Sequence, residues 1–305
     1  DKAGCECWEE AEGKLQEMAA NKALSKSGLE KKDIRYIIAG DLLGQLMASS
    51  FGLMKLEIPM FGIYGACSTM GESISIASML VDGGYADNIL AITSSHFASA
   101  EKQFRFPLGY GSQRKMASTW TVTGSGAVII SSERMAQKAN MSDKNKVHIT
   151  GITTGKIVDF GVKDSMNMGA CMAPAAGNVI VQNLIDNGRK PEWYDKIITG
   201  DLGLVGKDIL LDITRSKGYD IADRYMDCGI EIYSREQEIQ AGGSGCGCSA
   251  SMLAGYIVKM LEKGTWQRVL FVPTGALLSP VSFNEGDSVP GIAHAVVFEC
   301  SGESQ

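Results

Sequence analysis

Histidine is the scarcest proton-handling side chain here, with only His96, His148 and His294 among 305 residues. A reaction that moves protons through an imidazole has three places to find one. Long apolar runs are also missing. None approaches the roughly 20 residues needed to span a bilayer, and no signal peptide opens the sequence. Basic clusters are absent at a net charge of -6, which argues against nucleic acid as a partner. The eight cysteines lack the spacing of a small disulfide scaffold, so free thiols in a reducing compartment are expected. Cys246 and Cys248 have no second pair to complete a tetrahedral metal site, and tight packing of small residues is the expectation there. Gly242-Gly243-Ser244-Gly245 has no lysine after it in the phosphate-loop pattern. Asp1 to Trp8 read as the middle of something, so a leading segment is expected to be missing.

What remains is an ordinary globular balance, 45% hydrophobic and 21% charged, in a chain long enough for a sizeable core. Its organising stretch is Gly65-Ala66-Cys67-Ser68-Thr69. A short apolar run precedes it, and Met70, Ile74, Ala77 and Val81 follow at helical spacing until Gly83-Gly84. Cys67 is therefore expected at a strand-to-helix elbow, with Ser68 and Thr69 as caps and the helix dipole favouring its thiolate. A small core cysteine that merely fits the bend is the bland alternative. Upstream, residues 9–29 predict an exposed helix with Leu15, Met18, Ala19 and Ala23 on its apolar side. Strands are predicted at Ile34–Ala39, Ile89–Thr93, Trp120–Thr123 and Gly126–Ser131. Glu231 to Gln240 reads as a hairpin. The polar stretch Glu133 to Lys146 is the candidate link between residues 1–142 and 143–305.

Those two stretches repeat one another. Ile197-Ile198-Thr199-Gly200-Asp201-Leu202 echoes Ile37-Ile38-Ala39-Gly40-Asp41-Leu42. Gly247-Cys248-Ser249 echoes Ala66-Cys67-Ser68, Val269–Thr274 matches Ile89–Ser94, and Ile292–Phe298 matches the closing strand of the first half. Alternating strands and helices imply a largely parallel sheet in each half, covered on both faces. The expectation is a duplicated α/β fold, two pseudo-symmetric βαβαβ-ββ halves with both elbows turned toward one cleft.

The duplication with Cys67 on the first elbow resembles the thiolase-like superfamily, which implies a layered α-β-α-β-α domain. Longer stretches are similar to the stage V sporulation protein AD family. They include Gln103-Phe104-Arg105-Phe106-Pro107, Thr121-Val122-Thr123-Gly124-Ser125-Gly126-Ala127, Ala170-Cys171-Met172-Ala173-Pro174 and Thr274-Gly275-Ala276-Leu277-Leu278-Ser279-Pro280. The resemblance implies a non-catalytic protein that binds dipicolinic acid (pyridine-2,6-dicarboxylate) and assists its uptake into the developing spore. It also implies work alongside other stage V sporulation proteins, peripherally on the cytoplasmic face of the inner spore (forespore) membrane. A homodimer is plausible by the same resemblance. No resident cofactor is implied; calcium can accompany the ligand.

The residues bear on that expectation. Thiolases carry a histidine on the second elbow and ketoacyl synthases an asparagine, where this chain offers Cys248 and Ser249. Ketoacyl synthases carry another histidine after the strand that here ends near Gly200, and Asp201 follows it. Cys67 is thus a vestigial nucleophile in the preferred reading. The alternative is a condensing enzyme in which Cys67 is acylated and His96 or His294 serves as base, although a structural histidine is the commoner case by about two to one. For a flat dianion, Cys67 and Ser68 at the helix start would receive one carboxylate. Arg105 would clamp the other, with Lys102 or Arg114 in reserve, against the bland reading of an Arg105–Glu101 surface ion pair. His96, Ser249 and Thr274 complete the candidate ligand set. Cys67→Ala is expected to weaken binding without unfolding the protein, and Arg105→Ala to weaken it more.

Overall fold

A computed structural model describes residues 2–104, 114–138 and 146–300. The first half runs α1 (Trp8–Ser27), β1 (Tyr36–Gly40), α2 (Met47–Leu53), β2 (Met60–Gly62), α3 (Thr69–Asp82), β3 (Asn88–Ser95), α4 (Phe97–Phe104), β4 (Trp120–Thr121), β5 (Gly124–Ser131) and α5 (Glu133–Lys138). The second half opens with β6 (Val147–Thr153), α6 (Met168–Asp186), β7 (Lys196–Thr199), α7 (Gly203–Ser216), β8 (Tyr225–Asp227), α8 (Cys228–Glu231) and β9 (Gly243–Ser244). Next comes α9 (Cys246–Met252), which passes through one π-turn into α10 (Val258–Glu262). The chain closes with β10 (Arg268–Val272), β11 (Thr274–Ala276), α11 (Pro280–Asn284), β12 (Gly291–Ala293) and β13 (Ala295–Cys300).

The duplication read from the sequence is present in the sheets. The first has the order β2-β1-β3-β5, and the second β8-β7-β10-β13 with β6 added at its end. In each, the first three strands of that order are parallel and the fourth is antiparallel, with β5 opposite β3 and β13 opposite β10. Central strands buried on both faces read as unbroken apolar runs, as Ile89-Leu90-Ala91-Ile92 within β3 does.

Helices α3 and α9 form the middle layer between the sheets. Their apolar faces (Met70, Ile74 and Ala77; Ala250, Leu253 and Ile257) meet Ile38, Ile89, Ile198 and Phe271 in one core. Helix α1 covers the outer face of the first sheet, and α6 and α7 that of the second. The halves meet backbone to backbone. A Cβ on Gly126 would lie 2.2 Å from the carbonyl oxygen of Ala250, and one on Gly247 would lie 2.4 Å from that of Gly124. Only glycine permits that approach.

Four expectations are corrected. The buried side of α1 is Ala11, Glu12, Gly13, Gln16, Ala20 and Leu24, while Met18 faces solvent. Ala19 and Ala23 pack against the core as expected, but the face also buries the polar Glu12 and Gln16, which hydrophobic spacing missed. Trp120–Thr123 is not part of the first sheet, because β4 pairs in parallel with β9 and so joins the halves. Glu231 to Gln240 is no hairpin. It holds the end of α8 and a 3-10 turn at Arg235–Gln237, closed reciprocally by Ser234 and Gln237. Finally, α6 is long and apolar enough to cross a bilayer by length and composition, but it is mostly buried within the fold, against α7 and β12.

Candidate functional site

The first elbow is held by its own hydroxyls. Ala66 sits at φ 51, a left-handed conformation that its Cβ makes unfavourable by about 1 kcal/mol. Thr69 Oγ1 accepts from the Gly65 N–H at 3.1 Å and donates to the Ala66 carbonyl at 2.6 Å. Ser68 Oγ donates to the Gly65 carbonyl at 2.7 Å. These side chains lock the bend behind Cys67 and do not accept from the helix N–H groups as N-caps, contrary to expectation. A short 3-10 turn, Ala66–Ser68, separates the bend from α3.

Cys67 is buried, and its surroundings favour the thiol. Burial raises its pKa well above the usual range, and the neighbouring Asp201 carboxyl raises it further, both by charge and by hydrogen bonding. The expected thiolate is therefore overturned, since desolvation and a nearby acid outweigh the dipole of the turn. Asp201 in turn is pushed up to about 8 by burial, partly offset by the bonds from Cys67 and from the Gly245 N–H at 2.9 Å. At neutral pH it is mostly protonated. Cys246 completes the trio, raising the Cys67 pKa by proximity and donating its own S–H to the Ser94 carbonyl at 2.9 Å. Thr93 Oγ1 donates to the Cys246 carbonyl at 3.0 Å.

The space in front of the sulfur is bounded by Tyr64, Phe104, Thr121, Met168, Ala276 and Leu278, and holds only about 40 Å³. That is room for a few waters. Glu101 also lines it. Its carboxylate pairs with the Arg114 guanidinium at 2.8 Å, both side chains being essentially unexposed, and accepts from Thr121 Oγ1 at 3.2 Å. Arg114 also donates to the Thr119 carbonyl at 2.7 Å and lies 4.2 Å from the centre of the Trp120 ring.

The candidate residues divide accordingly. Cys67 lines the chamber, and Ser68 stands beside it as a brace. Ser249 is buried on the elbow and bonds back to the Cys246 carbonyl, while Thr274 bonds to that of Val272, so neither hydroxyl is spent on the chamber. The second elbow in fact presents Cys246, two residues ahead of the expected Cys248, whose thiol turns the other way to the Gly200 carbonyl. His96 is buried at the start of α4, its Nδ1 accepting from the Ala98 N–H, and burial lowers its pKa. His294 is buried and its pKa is likewise lowered by desolvation. Lys102 is exposed and pairs with Glu9 on α1 at 2.7 Å. Arg114, the other reserve clamp, is the partner of Glu101. Arg105 lies outside the described residues. Sequence reading named Asp201 in the internal repeat and as a departure from an enzyme pattern, and Cys246 as half of an incomplete metal pair; the repeated Gly-Asp after β1 and β7 was the available signal that an acid belongs at the elbow.

Solved structures define the class. The fold covers 93% of this chain and 82% of a Xanthomonas campestris OleA structure bound to lauric acid and lauroyl-CoA, with a TM-score of 0.64 at 13% identity. For 3-oxoacyl-[acyl-carrier-protein] synthase III from Aquifex aeolicus the TM-score is 0.57 at 15% identity, over 93% of this chain and 83% of that one. A duplicated α/β chain with a cysteine on the first elbow, sharing the architecture of these enzymes, has the thiolase-like fold. At such identity the likeness is one of fold.

Sequence takes the assignment further. The stage V sporulation protein AD family profile matches residues 1–299. Stage V sporulation protein AD of Bacillus subtilis (strain 168) is 46% identical over 295 residues, which are 97% of this chain and 84% of that protein. The chain belongs to the stage V sporulation protein AD family.

Proposed function

We propose that this sporulation protein is a receptor for dipicolinate and performs no turnover. The observation that carries the reading is the company Cys67 keeps. Thiolytic and condensing chemistry needs a thiolate, a base and donors for the thioester oxygen. Around this sulfur stand a largely protonated carboxyl, Asp201, and a thiol, Cys246, and both environments keep Cys67 neutral. The same features suit a dianion. At neutral pH Asp201, buried beside Cys67, is largely uncharged and so does not repel a dianion, and Glu101 is neutralised by Arg114. Seating a pyridine dicarboxylate requires the Phe104 and Leu278 walls to part, because about 40 Å³ does not hold the ring.

In the same proposal the protein assists dipicolinate uptake into the spore, docked peripherally at the inner spore membrane with other stage V sporulation proteins. Calcium, where bound, enters with the ligand. A homodimer through the open edge at β2 fits the exposed Met60 and Phe61 on that strand.

Calorimetric titration with dipicolinate, with and without calcium, tests the receptor reading. Saturable binding weakened by Cys67→Ala supports it, and no binding in either buffer sinks it. Mass spectrometry after incubation with acyl-coenzyme A tests the rival. A stable acyl adduct on Cys67 would make the protein a condensing enzyme.

A further inference from the structure

A second cleft, of about 520 Å³, shares only Thr121 with the Cys67 chamber. Its walls are aromatic and ordered. The Phe97 and Trp120 rings stack with centres 5.2 Å apart and planes 18° from parallel. The Trp120 indole N–H is bonded to the Gln240 side chain, and the buried Arg114 guanidinium lies 4.2 Å from its ring, so the ring is held from two sides. Tyr233 and Ile232 line the cleft as well, and Thr123 and Ser251 bring hydroxyls to it. Thr123 Oγ1 accepts from the Phe97 N–H at 3.0 Å, which leaves its own hydrogen free to donate. No charged side chain is among the described residues that line it.

We infer that this cleft is a binding site for a small, uncharged, planar aromatic molecule of one or two rings with a polar edge. Its volume falls in the range of roughly 300–1,000 Å³ typical of small-molecule sites. The Phe97 and Tyr233 side chains on the walls suit an aromatic guest, and the hydroxyls can read one polar edge. A carboxylate would lose water there without gaining a cation, so dipicolinate is excluded from the cleft. The two spaces are joined by one polar chain. Trp120 lies against Arg114, Arg114 pairs with Glu101, and Glu101 and Thr121 border the Cys67 chamber. The site stands whether or not the chamber binds dipicolinate.

Quinoline serves as the probe, followed by saturation-transfer NMR and by tryptophan emission on the full chain at about pH 8. Saturable binding is expected, with proton contacts to aromatic side chains. Thr123→Phe, which fills the cleft, and Tyr233→Ala, which removes a wall, should each weaken it about tenfold or more. Tyr85→Ala, a solvent-facing change elsewhere, should leave it unchanged, with thermal melts confirming that all three variants fold. Absence of quinoline binding at millimolar concentration, binding indifferent to both cleft variants, or displacement of quinoline by dipicolinate would each overturn the inference.

Discussion

Glu12 offers the sharpest test of the polar interior. It lies on the buried face of α1, where Ser94 Oγ donates to one carboxyl oxygen at 2.9 Å and Ser99 Oγ to the other at 2.6 Å. Burial pushes its pKa up to about 8 from an ordinary 4.5, and the nearby Asp41 carboxyl adds to the rise against the two hydroxyl bonds. The folded protein therefore holds this proton to higher pH than the unfolded chain does. Between about 4.5 and about 8 the native state binds more protons, so stability falls as pH rises through that window and levels off above it. Each pH unit costs about 1.4 kcal/mol, giving roughly 3 kcal/mol by pH 7 and roughly 5 in full. Glu12→Gln mimics the protonated acid. Its amide can donate to Ser99 Oγ, whose hydrogen then turns to the His96 carbonyl at 3.1 Å. Urea unfolding of both proteins from about pH 5 to about pH 8.5 should show curves that nearly meet at the acid end and separate by several kcal/mol at the basic end. Parallel curves, or a variant less stable throughout, would refute a buried neutral Glu12.

Other outcomes follow from the same geometry. Dipicolinate binding should weaken as pH rises through about 8, where Asp201 ionises against the dianion, and Asp201→Asn should flatten that dependence in calorimetry. With a haloacetamide at about pH 8, peptide mapping should find Cys7, which is exposed, modified well before the buried Cys67. Gly247→Ala, whose new Cβ would lie 2.6 Å from the Ser95 nitrogen, should cost about 2–4 kcal/mol in chemical denaturation or prevent folding.

The duplication, the largely parallel strands and the helix after Cys67 were legible because central strands and α3 bury apolar residues at regular spacing. The inward face of α1 was not, since Glu12 and Gln16 are buried through bonds to Ser94, Ser99 and Ser49 from a distant strand and two distant helices. The second elbow was found but misaligned. Matching Cys-Ser to Cys-Ser selected Cys248, whereas α9 begins at Cys246 and the intervening Gly247 is dictated by the other half's backbone. Likewise no local pattern links Arg114 to Glu101; their pairing depends on how α4 and β4 come together around a desolvated site.

Proteins that take small guests between two lobes commonly swing the lobes apart to admit them. Here peptide groups of one lobe are seated on those of the other at Gly126 and Gly247, β4 is stitched to β9, and both central helices share a single core. A hinge motion would tear all three contacts at once. Admission to Cys67 must therefore come by shifting side chains and short segments near Phe104, Met168 and Leu278, so gating in this architecture is a property of its rim and not of its axis.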